Sequence, residues 1–336
     1  MTDRSDRRAA DGIPAPAVSI VVPVYNAERH LEACLGGILA QDQHDIEVVA
    51  VDDGSSDRSR DILSALAASD ARLVVLRHEG GANRGVAASR NLGLRRATGE
   101  YLWFVDADDR IRPGAVSTLL ALARGHRADV VAFNGEECGG GLPSLPIYRK
   151  PKPSGVVAGE AWVACGCRQK EWRHFVWLRF YRRGYLRSCG LTFREGIVHE
   201  DIAWITEGDL RAARLVYADQ ILYEYVRNPQ SLTRGETDAR LLHRAESMFE
   251  VIAQLRDINR RCPMTEQTRN LLRSELVGQG VNLDRLRRRI AEPSLRQQLT
   301  RRLRREKFWR VLWRDAVSYT RKRQLARILW RETFGP

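Results

Sequence analysis

The chain has 336 residues, 43% of them hydrophobic, and a formal net charge of +13, so it holds enough apolar material for a sizeable core and is not wholly disordered. No apolar run approaches the ~20 residues that span a bilayer, and the polar start of the chain is not expected to act as a signal peptide. The six cysteines include no CxxC pair, which favours reduced structural thiols over a zinc site.

Strand and helix patterns alternate regularly after residues 1–16, a polar stretch that we predict to be a flexible arm. Short apolar, β-branched runs predict strands at 18–24, 46–51, 72–76, 101–105 and 129–133. Helical spacing of apolar residues predicts helices at 27–40, 57–68, 85–97 and 113–123. Ser55 or Ser56 is the expected N-cap of the second helix. Strands that alternate with helices of 10–15 residues indicate βαβ units and a mainly parallel α/β sheet.

The pattern changes after the fifth predicted strand. Residues 136–159 are rich in Gly, Pro and Ser, which predicts a loop or a hairpin lid. Aromatic residues are frequent from 161 to 234, and long helical patterns with Arg-rich faces follow from 238. Residues 240–336 hold 24 basic and 10 acidic side chains, so the whole positive excess lies in this last region. Such an asymmetry suggests an acidic partner, either a membrane surface or nucleic acid.

Acidic side chains follow two of the predicted strands. Asp52 and Asp53 come directly after the second strand, and Asp106, Asp108 and Asp109 come after the fourth. Ligands of open α/β sheets bind at the carboxyl ends of the strands. Carboxylates gathered there repel one another unless a cation is present, and Mg²⁺ or Mn²⁺ with oxygen ligands suits them.

A purely structural interpretation of these acids is also open, because Asp commonly forms turns and caps helices. We favour it for Asp57 and Asp109, and we favour a functional interpretation for Asp53, Asp106 and Asp108, into which hydrophobic strands lead directly. Neither GxxxxGK[ST] nor GxGxxG occurs, which argues against a Walker-type ATPase and a dinucleotide-binding enzyme.

Four ordered segments together resemble family 2 glycosyltransferases, which have the GT-A fold. The segments are VSIVVPVYN at 18–26, VDDGSSD at 51–57, NRGVAASRNLG at 83–93 and FVDADD at 104–109. A second zone, VHEDI at 198–202 followed by YEYVRNPQSLT at 223–233, is similar to polysaccharide-building members of the family. The resemblance implies a transferase domain over 17–235, with nucleotide-sugar binding at 17–135 and an acceptor part at 136–235. A basic helical region over 236–336 would follow it.

The resemblance also implies roles for individual residues. Pro23 and Tyr25 would line the pocket for the nucleotide base, and Asp53 would accept a hydrogen bond from the base, as suits uracil. Arg90 would lie near the base or the pyrophosphate. Asp106 would contact the ribose, and Asp108, the last acid of the DXD motif, would hold Mg²⁺ or Mn²⁺ on the diphosphate.

A second acidic pair supplies the predicted general base. The resemblance implies that Asp201 takes the proton of the acceptor hydroxyl and that Glu200 binds substrate. The structural alternative is that the negative charges of both acids only complement the dipole at the start of a helix. Arg227, with Ser231 and Thr233, would reach the diphosphate from a closed loop, or would form an ordinary turn.

The implied activity is metal-assisted, inverting transfer from a nucleotide-sugar, specifically a UDP-sugar, to a glycan or lipid-linked acceptor in cell-surface or extracellular polysaccharide synthesis. A nucleotidyltransferase and a nucleic-acid-binding protein using the basic tail are the alternatives, although no nucleic-acid-reading signature occurs. We expect a cytoplasmic protein, peripheral on the inner face of the membrane. The stretch 308–319 is amphipathic, and its apolar side consists of Phe308, Trp309, Leu312, Trp313, Ala316 and Tyr319. It would either lie in an anionic membrane surface, as part of a contact over 300–330, or pack on the catalytic domain.

Overall fold

The computed structural model describes residues 15–227 and 237–334. The arm predicted at 1–16 therefore lies almost wholly outside the described residues, as do Ser231, Thr233 and the predicted boundary at 235. The described chain forms two compact units. The first comprises the described residues up to Trp162, then Phe175–Gly196, and then Ala212 onward to the gap. The second comprises Val163–His174, Ile197–Arg211 and the described residues after the gap. The predicted division into a transferase domain and a basic helical region stays a prediction.

The first unit is built on one sheet of ten described strands. They are β1 Val18–Val24, β2 Ile46–Asp52, β3 Leu73–Arg77, β4 Tyr101–Phe104, β5 Arg110–Ile111, β6 Val130–Cys138, β7 Leu145–Pro146, β8 Val156–Val157, β9 Arg179–Arg182 and β10 Leu215–Val226. The main path runs β3-β2-β1-β4-β9-β6-β10-β5, with β7 on β6 and β8 on β10.

The first unit has the α/β architecture that the sequence predicts, and its sheet contains both parallel and antiparallel strands. Strands β1 to β4 pair in parallel, as do β6 and β10. Strand β9 is antiparallel to both of its neighbours, β4 and β6, and joins the two parallel parts. Every residue of β2 is buried, as expected for an apolar strand covered on both faces.

The helices of the first unit follow the predicted order. They are α1 Leu31–Leu39, α2 Ser59–Ser69, α3 Val86–Arg96, α4 Ala115–Gly125 and α6 Arg183–Cys189, and α5 Gly159–Gln169 crosses from the first unit into the second.

One local prediction in this unit is wrong. Neither Ser55 nor Ser56 caps α2, because the helix begins at Ser59 after Arg58, and the hydroxyl oxygen of Ser55 accepts the Asn26 amide instead. Of the two alternatives for residues 136–159, a loop or a hairpin, the structure has a hairpin at the start, because Glu136 and Glu137 of β6 pair antiparallel with Pro146 and Leu145 of β7.

The second unit is helical in its described residues. It contains α7 Glu200–Leu210, α8 Asp238–Arg261, α9 Glu266–Arg289, α10 Pro293–Arg305, α11 Phe308–Asp315 and α12 Tyr319–Phe334. Their apolar faces share one core, which includes Ile202, Met248, Val277, Leu299 and Leu325. None of the described helices is long and apolar enough to cross a bilayer.

The stretch 308–319 differs from its prediction. It is not one helix, because α11 ends at Asp315 and α12 begins at Tyr319. Phe308, Trp309 and Leu312 are buried in the helical core of their own unit. These three side chains therefore pack inside the second unit, whereas Trp313 is 40% exposed.

Candidate active site

The ends of three adjacent strands form the acidic edge of the sheet. Strand β1 lies between β2 and β4, so the segments that follow these strands emerge side by side. The amide of Asp53 donates to the carbonyl of Val24 at 2.8 Å, and the amide of Val105 donates to that of Val21 at 3.0 Å. The structure thus brings together the predicted residues of the strand ends, which are Pro23, Tyr25, Asp53, Asp106 and Asp108.

Tyr25 is presented by a fixed turn. Its side chain is 43% exposed, and the next residue, Asn26, has a left-handed backbone with φ 48°, which asparagine tolerates better than most residues. The Asn26 side-chain oxygen accepts the Ser56 amide at 2.8 Å, and the Asn26 amide donates to the Ser55 hydroxyl oxygen at 3.1 Å. The end of β1 is therefore tied to the end of β2. The sequence signal for this turn is the polar Asn directly after the strand.

Asp53 organises a loop. It is buried, its Oδ1 accepts the Arg84 amide at 2.7 Å, and its Oδ2 accepts the Gly85 amide at 2.9 Å. The Nε2 atom of buried His78 lies 3.4 Å from Oδ1. Asp53 thus holds the loop that begins α3, a role that the sequence did not suggest. Its predicted contact with the nucleotide base stays a prediction, and each carboxylate oxygen keeps a second lone pair for it.

Arg90 and Asp106 form a largely buried ion pair. The Nη2 atom of Arg90 donates to Oδ1 of Asp106 at 2.8 Å, and Arg90 is only 5% exposed. Its guanidinium group also lies over the ring of Phe193, 5.6 Å from the centroid. Because an unpaired charge in this place would be strongly unfavourable, the pair fixes the first acid of the DXD motif. The predicted contact of Arg90 with base or pyrophosphate stays a prediction.

Carboxyl groups are concentrated at the DXD motif and directly after it. Burial raises the pKa of Asp109 well above its usual value, and the carboxylates of Asp106 and Asp108 raise it further. Burial and the same acids, Asp109 included, raise the pKa of the Cys34 thiol. Asp106 and Asp108 are themselves only partly buried. Across the described ranges, no three His, Cys, Asp or Glu side chains are arranged as a ready-made metal site.

Arg227 lies at the end of the first described range, in the first unit. Its Nε atom is 3.1 Å from Oε1 of Glu137, and its Nη1 atom donates to the Gly139 carbonyl at 2.9 Å. These contacts attach the chain after β10 to the turn after β6. The predicted contact of Arg227 with a diphosphate stays a prediction.

Glu200 and Asp201 belong to the second unit, in the first turn of α7. Glu200 is buried and Asp201 is half-buried. His199, which precedes them, has a left-handed backbone with φ 63° at the N-cap position. Burial, together with the nearby charge of Arg244, lowers the pKa of the His199 imidazole to about 4. The acidic pair therefore follows a half-buried histidine in a constrained turn.

Residues 19–186, half of the chain, match Glycosyl transferase family 2. The chain belongs to this family. The family match covers the whole acidic edge of the sheet, from the strand that carries Tyr25 to the helix after β9.

Family relatives extend the likeness beyond the matched segment. The glycosyltransferase GlyG of Streptococcus pneumoniae is 39% identical over 245 residues, which are 70% of this chain and 78% of GlyG. The Escherichia coli glycosyltransferase YibD is 34% identical over 221 residues, 65% of this chain. The chain spans about 63% of the length of YibD.

Solved structures share the GT-A fold with this glycosyltransferase family member. Staphylococcus aureus TarS 1–349 in complex with UDP-GlcNAc has a TM-score of 0.63 and 22% identity, covering 79% of this chain and 72% of TarS 1–349. The Pyrobaculum calidifontis mannosyltransferase PcManGT, in complex with GDP-Man and Mn²⁺, has a TM-score of 0.54 and 16% identity, covering 98% and 93%. At these identities the likeness concerns the fold.

Proposed function

We propose that the chain transfers a sugar from a uridine diphosphate sugar to a hydroxyl group of a glycan or lipid-linked acceptor in the synthesis of a cell-surface or extracellular polysaccharide. The observation that carries the proposal is the acidic edge, where Tyr25, Asp106 and Asp108 are accessible beside buried strands. The presence of UDP-GlcNAc in the TarS complex supports the choice of a uridine donor.

The donor nucleotide would lie across the ends of β1 and β2. The ring of Tyr25 would cover the base, with Pro23 beside it, because the fixed turn at Asn26 keeps this ring at the surface. Asp53 would accept a hydrogen bond from the uracil N–H through a remaining lone pair. Asp106, already fixed by Arg90, would contact the ribose.

The residues present fit a divalent cation at the DXD motif. Carboxylate oxygens are hard donors, and Mg²⁺ or Mn²⁺ usually takes one or two of them and completes its shell with substrate phosphates and water. Asp108 would hold the ion, and the mutual repulsion of Asp106, Asp108 and Asp109 would be relieved there. When bound, the ion neutralises charge on the leaving diphosphate. The Mn²⁺ in the PcManGT complex supports this proposal.

The reaction itself would be a single displacement with inversion. The acceptor oxygen forms a bond to the anomeric carbon as the bond from that carbon to the diphosphate oxygen breaks. The carboxylate of Asp201 takes the proton of the acceptor hydroxyl, and uridine diphosphate leaves. Glu200 and Arg227 would bind substrate. The resemblance of residues 198–202 to polysaccharide-building family members supports these assignments.

The experiment for the reaction compares Asp201→Asn with the matched surface variant Asp61→Asn, since Asp61 is exposed in α2. A set of nucleotide-sugars is screened for nucleotide release with Mn²⁺, with and without acceptor. We expect Asp201→Asn to lose turnover by at least about a hundredfold and to keep the wild-type affinity for UDP. Turnover retained by Asp201→Asn would contradict the assignment of the base, and wild-type turnover of Asp61→Asn shows that the change of charge alone is harmless.

A further inference from the structure

Helix α12 carries aromatic and basic side chains on the side that faces solvent. Tyr319 is 80% exposed and Trp330 is 59% exposed, although tryptophan is usually well buried. Lys322, Arg323 and Ala326 are also exposed. At 100° per residue these five positions fall within about 100° of one another on the helix. We call them the outer face of α12.

The opposite side of α12 is fixed to the helical core. Leu325 and Ile328 are buried in that core. The Nε atom of Arg321 donates to the Ser274 hydroxyl oxygen at 3.2 Å, and Oε1 of Glu332 lies 2.9 Å from Nη1 of Arg287. The inner side of α12 is therefore anchored to α9.

The charge around the outer face is strongly positive. Besides Lys322 and Arg323, the exposed Arg314 and Arg327 lie on α11 and α12, and Trp313 on α11 is 40% exposed. The whole segment 240–336 carries a net charge of +14. Tryptophan and tyrosine beside lysine and arginine form the combination that prefers the interface between water and anionic lipid.

We infer that the outer face of α12 binds the surface of an anionic lipid bilayer, with Tyr319 and Trp330 inserted at headgroup level and Lys322 and Arg323 on lipid phosphates. This site shares Tyr319 with the membrane face predicted from the sequence but is centred on α12, because Phe308 and Trp309 of the predicted face are buried. An exposed helix face of aromatic and basic side chains suits a planar lipid surface better than a single-stranded nucleic acid, which is bound in basic channels with stacking platforms.

The test measures co-sedimentation of the full chain with vesicles of phosphatidylcholine alone and with 30% phosphatidylglycerol added. We expect binding only to the anionic vesicles and a loss of binding as salt rises. We expect at least a tenfold loss of binding in each of two double variants, Tyr319→Ser/Trp330→Ser and Lys322→Glu/Arg323→Glu. For the second variant the reason is that one cation near the surface contributes a factor of about five. Both should keep the wild-type melting temperature.

A matched control changes charge elsewhere on the same unit. Arg240→Glu/Arg301→Glu removes two exposed arginines outside α12 and alters net charge by the same amount as the lysine–arginine variant. It should bind anionic vesicles within about threefold of wild type, because only charges close to the surface contribute. An equal loss in this control would overturn the inference, as would wild-type vesicle binding by both outer-face variants.

Two further readouts separate the remaining outcomes. Vesicles with brominated lipid should quench the fluorescence of wild type more than that of Trp330→Phe, and equal quenching would overturn insertion of Trp330. Tight binding to bulk single-stranded DNA with none to anionic vesicles would identify a nucleic acid as the partner and overturn the inference. Nucleotide-sugar hydrolysis without vesicles is unaffected by the outer-face variants, so failure here and failure of the proposed function are distinguishable.

Discussion

The hydroxyl group of Tyr223 donates a hydrogen bond of 2.7 Å to Oδ2 of Asp109 and accepts the backbone amide of Asp106 at 3.2 Å. Both Tyr223 and Asp109 are buried. The other oxygen of Asp109, Oδ1, accepts the amide of Val226 at 2.8 Å. Tyr223 and Asp109 therefore attach the end of β10 to the segment that carries Asp108, and they act as positioning residues for the DXD motif.

Replacing Tyr223 by phenylalanine should weaken this attachment while leaving the ring in place. The ring stacks on Trp177 with centroids 4.3 Å apart, and phenylalanine keeps that contact. Loss of the hydroxyl leaves Oδ2 of Asp109 and the Asp106 amide without their partner, which costs about 1–3 kcal/mol of stability. We expect the affinity for UDP with Mn²⁺, measured by calorimetry, to fall about tenfold.

The matched control for this variant is Tyr217→Phe on the same strand. The Tyr217 hydroxyl donates to Oδ1 of Asp219 at 2.8 Å on the surface. Its removal should leave UDP affinity and stability close to wild type. Equal affinities for UDP in Tyr223→Phe and Tyr217→Phe would show that the Tyr223 hydroxyl does not position the motif.

Alanine at Gly54 should disturb the loop that Asp53 holds. Gly54 has φ 74°, and a Cβ atom there would lie 2.7 Å from the Gly81 carbonyl oxygen and 2.8 Å from the Asn83 amide nitrogen. Because backbone atoms must move, we expect a loss of about 2–3 kcal/mol in the free energy of unfolding. Urea denaturation measures it.

Gly80 offers the control for that substitution. It has a similar φ of 70°, but no atom lies within 4 Å of its added Cβ. Gly80→Ala should therefore lose only about 1 kcal/mol, through backbone strain alone. If the two variants lose equal stability, the close approach between Gly54 and the loop at 81–83 is not significant.

His199 should make stability depend on pH in the mildly acidic range. Its pKa is about 4 in the folded chain against an ordinary value of 6.5, so only the unfolded chain binds a proton between these values. Stability therefore falls as the pH falls from 6.5 to 4, by up to about 3 kcal/mol from this group. His199→Asn, which tolerates the left-handed backbone, should lose this part of the dependence.

The measurement is urea denaturation of wild type and His199→Asn at pH 7 and pH 4.5. Wild type should lose more stability than the variant on acidification, and the difference isolates His199 from all other titrating groups. A difference between the two proteins that stays constant with pH would contradict a lowered pKa of the imidazole at this position.

The fold was predictable because strong local signals agree with it. The apolar runs of β2 and β4 lead directly into the Asp-Asp and DXD segments, and that of β1 leads into Tyr25 and Asn26, so both the parallel sheet and the family could be identified from sequence. The structure confirms that the strand-end residues meet at one edge. What the sequence did not disclose is long-range pairing, such as that of Tyr223 with Asp109, more than a hundred residues apart.

Local rules failed where tertiary contacts decide the outcome. Ser55 resembles a helix cap, but its hydroxyl oxygen is taken by the Asn26 amide of a neighbouring strand end. The amphipathic pattern at 308–319 correctly indicates an apolar side, but periodicity cannot show what covers it. In the structure Phe308 and Leu312 are covered by helices of their own unit, and the most exposed aromatic residues of this region, Tyr319 and Trp330, lie on α12.

Titration of UDP into the chain, with and without Mn²⁺, tests the central proposal most directly when wild type is compared with Asp108→Asn and Asp61→Asn. Asp108 would hold the ion on the diphosphate, and Asp61 is an exposed acid of the same unit. We predict Mn²⁺-dependent binding of UDP by wild type and Asp61→Asn, and a loss of the Mn²⁺-dependent part in Asp108→Asn. Unchanged Mn²⁺-dependent binding in Asp108→Asn, or no UDP binding by wild type, would contradict a uridine-diphosphate-sugar site at the acidic edge.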